Sequence, residues 1–146
     1  MIVKVINAAS RYIVDTPLVE RTAKKVLKGM GAGSPKLLEI LFVDDREIRK
    51  LNRRFKKRDR ATDVLSFALD NVGSIAVSLD TASRNMKAFG APLHEEAIRY
   101  VIHGILHLFG YDDGTGPDRL KMAAKENRIL RHLCANTDLS KVLTRR

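Results

Sequence analysis

The stretch His103-Gly104-Ile105-Leu106-His107-Leu108-Phe109-Gly110-Tyr111-Asp112-Asp113 decides how this chain is read. Histidines four residues apart on a helix project from one face, one turn above the other. Both imidazoles can then reach a single metal ion. Gly110 accepts the left-handed backbone of a helix stop, so the chain can turn back and bring Asp113 to the same point. Two imidazoles and one carboxylate leave one position of a tetrahedral zinc open, as catalytic zinc sites do. The competing reading is a pair of packed helix histidines with no ion, and Asp113 at this spacing argues against it.

The spacing follows the metzincin pattern H-E-x-x-H-x-x-G-x-x-H with two changes. Gly104 replaces the general-base Glu of a peptidase, and Asp113 replaces the third His. Without that Glu, peptide hydrolysis lacks its proton acceptor. The site therefore reads as a metal hydrolase adapted to another substrate. Asp112 is expected to bond to turn backbone, and His94 and His132 are expected on the surface.

With 146 residues the chain is long enough for one domain with one core, and it is read as a single domain over residues 1–146. An apolar share of 45% excludes a disordered chain. The net charge of +10 favours a polyanionic partner, most simply nucleic acid. A basic surface that only aids solubility is the alternative. The single cysteine, Cys134, fits a reducing compartment. The opening residues are too interrupted for a signal peptide and no segment is long and apolar enough for a membrane span, so a cytoplasmic location is expected.

Working outward, a short strand is expected around Val3–Val5. A helix starting at Pro17 after Thr16 follows, then a glycine-rich loop from Gly29 to Pro35. Leu37–Val43 reads as a strand, and Asp44 as the cap of a helix carrying Ile48 and Leu51. Strands are expected over Asp63–Ala68 and Gly73–Ser78. A helix from Asp80 or Thr81 to near Gly90 comes next, then the metal helix after Pro92, then a last helix over Asp118–Leu133. Residues 137–146 are expected as a flexible basic tail. This order predicts an α+β domain, with a mixed sheet of about four strands packed by about five helices.

Between Arg46 and Arg60 the chain is crowded with Arg and Lys. They cannot share one helix face. Leu51 and Phe55 are expected to anchor the segment to a core, which would make it a fixed basic surface suited to phosphates. Arg53, Arg54, Lys57, Arg58 and Arg60 are the candidates to track an RNA backbone.

Leu51-Asn52, Phe55-Lys56, Thr62-Asp63-Val64-Leu65-Ser66-Phe67 and the stretch His103 to Asp112 together resemble the YbeY family of bacterial endoribonucleases. The resemblance runs from about Leu41 to about Leu130. It implies a metal-dependent, single-strand-specific RNase acting in 16S rRNA 3′-end maturation and ribosome quality control. It also implies a zinc helix beside a mixed sheet, and contact with the ribosome or small-subunit proteins. His103 and His107 match two family zinc ligands, and Asp113 matches the third, usually His. Lys56 matches a position usually held by an Arg important for activity, and Met122 a methionine in the helix after the metal loop. Ser74 stands for a usual Asp and Ala61 for a usual Pro.

The expected chemistry is one Zn²⁺ held by His103, His107 and Asp113, with a zinc-bound water at the open position. Lys56 would offset charge on the phosphate. Three alternatives stay open at this point: a non-catalytic RNA-binding assembly factor with a structural metal, a metallopeptidase, and a two-His-one-carboxylate iron oxygenase.

Overall fold

The computed structural model describes residues 1–146, apart from the side chain of Phe89. Along the chain the elements are β1 (Ile2–Asn7), β2 (Tyr12–Val14), α1 (Thr16–Met30), β3 (Leu37–Val43), α2 (Asp45–Lys56), β4 (Val64–Leu69), β5 (Val72–Ser78), α3 (Leu79–Phe89), α4 (Leu93–Leu108), α5 (Gly116–Asn136) and β6 (Leu143–Arg145). Four strands form one mixed sheet in the order β1-β3-β5-β4. The first three run parallel, and β4 returns antiparallel along β5. The chain is thus an α+β domain with a four-stranded mixed sheet and five helices, as the sequence predicts.

β3 is central because it is apolar on both sides. Leu38, Ile40 and Phe42 face the main core, which also holds residues of α1, α3, α4 and α5. Val43 faces a smaller cluster with Ile48 of α2, Leu65 and Ala76. β4 lies at the sheet's edge with α4 beside it. That places α4 and the end of α2 on either side of β4.

α4 lies very close to β5. A Cβ on Gly104 would stand 2.7 Å from Ile75 Cγ2, and Ile75 is itself buried. The absence of a side chain at residue 104 is therefore a packing requirement. A glutamate there would be driven into the sheet.

Local chemistry sets the helix ends. Asp15 Oδ1 caps α1 by accepting from the Leu18 amide at 3.1 Å. Asp44 precedes α2 as expected, but its carboxylate accepts from Ser10 instead of capping the helix. The third helix begins earlier than expected because Ser78, not Asp80, caps it. Asp80 accepts instead from the Asp45 amide at 3.0 Å. Asp45 in turn accepts from Ser78 Oγ at 2.6 Å and Thr81 Oγ1 at 2.8 Å, so the N-termini of α2 and α3 are tied to each other.

The end of the chain differs from the expected flexible tail. β6 pairs antiparallel with β2, and Leu139 and Val142 are buried in the main core. The Asp15 amide donates to Val142 O at 2.9 Å. Both strands are only three residues long, too short for an alternation pattern, and neither is predictable without the other. No helix is long and apolar enough to cross a membrane among the described residues.

Gly104→Ala is expected to destabilise the fold by about 1–3 kcal/mol through overpacking. Urea unfolding checks this, and an unchanged midpoint would mean that α4 can shift off β5.

Candidate metal centre

α4 is buried around most of its circumference, through Ala97, Ile98, Val101, Ile102, Ile105 and Leu106. His103 and His107 form its half-exposed stripe. The helix stops in a Schellman arrangement. The Tyr111 amide donates to Leu106 O and the Gly110 amide to His107 O, each at 3.0 Å, with Gly110 at φ 91°. The Asp112 carboxylate accepts from the amides of Asp113 at 2.7 Å and Gly114 at 3.2 Å. Asp112 thus holds the turn that presents Asp113, the local role expected of it.

Three donor atoms meet. His103 Nε2 lies 3.1 Å from His107 Nε2, and Asp113 Oδ2 lies 3.7 Å and 3.6 Å from those nitrogens. Zinc bonds of about 2.0–2.2 Å at tetrahedral angles set donor atoms about 3.3 Å apart. The separations and the donor types both fit such an ion.

His103 is oriented from behind. Its Nδ1 donates to Glu126 Oε2 at 2.9 Å, which leaves Nε2 as the acceptor facing the other two donors. Glu126 is buried on α5, and its other oxygen meets Arg99 at 3.3 Å. Arg99 also pairs with buried Glu96 at 3.5 Å. Burial works against protonating His103. The hydrogen bond and charge of Glu126 outweigh it, with Asp63 and Asp113 adding, and the pKa stands above the ordinary 6.5.

Glu126 was not singled out in the sequence, yet a signal was present. Met122, Glu126, Leu130 and Leu133 form one buried stripe of α5. A carboxylate within an apolar stripe requires a buried partner. Met122 lines the pocket beneath the site with Tyr100, His103, Asp113 and Glu126. Burial, with the charges of Glu96 and Asp63 against a bond from Asn85, pushes the Tyr100 hydroxyl up to about 12, so it stays neutral.

The His103–His107–Asp113 group opens into a cleft of 590 Å³. Lys56, Arg58 and Arg60 line it together with Asp63, β4 and the triad. Of the remaining cationic candidates, Arg53 lines a neighbouring groove with Arg46, Arg49 and Lys50, and Arg60 borders both. Arg54 lies over the Phe55 ring. Lys57 is exposed and ends α2 in the left-handed region at φ 56°. Asn52, part of the motif that carries the family resemblance, has a structural role that only packing reveals. It is buried, its side-chain amide donates to Arg60 O at 2.9 Å, and its carbonyl accepts from the Arg58 amide at 3.3 Å. Asn52 thereby holds the basic loop against α2, through its side chain at Arg60 and its main-chain carbonyl at Arg58.

Residues 5–134 match the sequence profile of the family described as Endoribonuclease YbeY. An endoribonuclease YbeY of Pelotomaculum thermopropionicum is 36% identical across an alignment covering 91% of this chain and 97% of that one. One from Myxococcus xanthus is 44% identical over 103 residues, which are 64% of this chain but only 35% of that longer protein. The solution structure of TM1509 from Thermotoga maritima superposes with a TM-score of 0.67 at 26% identity, covering 91% of this chain and 89% of the other.

Glu126→Gln is expected to weaken zinc binding by about 10–100-fold in a chelator competition. Unchanged affinity would remove Glu126 from the centre. The raised His103 pKa sets a sign for the metal-free protein. The imidazolium–Glu126 pair contributes its full stability below the unfolded pKa and loses it as pH rises through the folded one. Glu126→Gln should therefore cost more stability at about pH 5 than at about pH 9, and the reverse order would contradict the pairing.

Proposed function

Because the chain belongs to the YbeY family of endoribonucleases, we propose that it is a zinc-dependent, single-strand-specific endoribonuclease acting in 16S rRNA 3′-end maturation and ribosome quality control. The observation that carries the reading is the meeting of the His103–His107–Asp113 triad with Lys56, Arg58 and Arg60 in one cleft. A phosphodiester in that cleft meets metal-donor groups on one wall and cations on the other.

When bound, zinc supplies Lewis acidity, drawing charge from a phosphoryl oxygen and making water more acidic. Glu126 keeps His103 in the tautomer that presents Nε2. Lys56 neutralises charge that builds on the phosphate, while Arg58 and Arg60 hold the strand on either side. Asp63 is assigned the proton acceptor. It lines both the cleft and the pocket beneath His103, and the Val64 amide fixes its carboxylate by donating to Oδ1 at 2.7 Å. Neutral Tyr100 does not compete for that role. The peptidase alternative loses ground, since residue 104 points at Ile75 and has no room for a glutamate.

The test is cleavage of a labelled single-stranded rRNA 3′-end fragment by the wild type and His107→Ala purified in parallel, with a chelator and zinc add-back. Cleavage should stop with the chelator, return with zinc and be absent from His107→Ala. Asp63→Asn should retain zinc yet lose about 10²–10⁴-fold in rate. Equal cleavage traces from wild type and His107→Ala would overturn the catalytic reading and leave an RNA-binding factor with a structural metal. A normal rate in Asp63→Asn would remove only the proton acceptor.

A further inference from the structure

Leu51 packs against the smaller core cluster as expected, but Phe55, at the end of α2, does not enter a core and is 46% exposed. Its ring stacks on Phe67 of β4, with centroids 4.6 Å apart and planes inclined by 15°. Aromatic residues are only 5% of this chain, and leaving such a stack open to water forgoes the gain of burying it. Phe67 also lines the cleft that holds the triad and the cations, on the edge strand of the sheet. The Arg54 guanidinium lies 5.3 Å from the Phe55 centroid, over the ring. A planar cation on an exposed ring occupies the position in which a planar base would stack.

We propose that the Phe55–Phe67 stack is a nucleobase subsite, which takes one unpaired base of the RNA that enters the metal cleft. The inference rests on the RNA reading above and adds a recognition element to it. The base displaces the Arg54 guanidinium from the ring, and the freed guanidinium turns to an adjacent phosphate. Lys56, next in the chain, then meets the phosphate on the cleft side. A base within a duplex has both faces covered by its neighbours and cannot stack on Phe55, so the subsite favours single strands for a physical reason. It is indifferent to sequence, because every base has a π-face.

The test is a titration of the intact protein with a single-stranded RNA oligonucleotide carrying 2-aminopurine, read within seconds of mixing, beside a duplex of the same sequence. Wild type should change the fluorescence strongly with the single strand and little with the duplex. Phe55→Leu keeps the apolar bulk but removes the π-face. It should lose the fluorescence change and bind the single strand about tenfold more weakly, with its circular dichroism spectrum unchanged. Phe55→Trp should restore both signals. If Phe55→Leu binds the single strand as tightly as wild type, with the same fluorescence change, the subsite is overturned and the RNA reading stands. If wild type binds neither RNA, the RNA reading falls and the subsite falls with it.

Discussion

The close approach of α4 to β5 is the constraint on which the rest of the molecule depends. Ile75 fills the space that a side chain at residue 104 would need. The helix can therefore sit deep in the core, with apolar residues around most of its surface. A helix in that position has only one stripe left for polar groups, and His103 and His107 occupy it. Their convergence with Asp113 follows from the helix stop at Gly110 and the turn held by Asp112. The same deep seating brings α5 near enough for Glu126 to reach His103.

The electrostatics divide the cleft into two walls. Carboxylates gather behind and beside the histidines: Glu126, Asp113 and Asp63, with Arg99 offsetting Glu126 and Glu96 on the buried side. Cations gather on the opposite wall, where Asn52 holds their loop in place. An acidic pocket suits a divalent ion, and a basic wall suits a phosphate chain. A protein with a net charge of +10 would attract RNA anywhere on its surface. The cleft is the place where cations and the three metal-donor groups come together.

Much of this was legible in the sequence, and the exceptions have physical reasons. The i, i+4 histidines, the glycine stop and Asp113 are local features, and local spacing is enough to read them. The sheet strands were readable because their apolar runs are long. β2 and β6 were missed because each is three residues long and exists only through its pairing with the other. α3 starts before Asp80 because Ser78, the last residue of β5, is also the helix cap, so no loop separates the two elements. Glu126 and Asn52 act across 23 and 8 residues of sequence, through contacts that only the folded chain creates. Gly104 was legible as the loss of a peptidase base, but its packing against Ile75 was not. The likeness to the endoribonuclease family is carried by short stretches between Leu51 and Phe67 and by His103 to Asp112, whereas the matched profile spans residues 5–134.

The central claim is that His103, His107 and Asp113 form a metal centre at the head of a basic cleft. Zinc X-ray absorption on the purified, zinc-loaded protein tests it most directly. The account predicts one zinc per chain with two imidazoles and further oxygen donors at about 2.0–2.2 Å. A chain that retains no zinc, or a spectrum dominated by sulfur at about 2.3 Å, would contradict it.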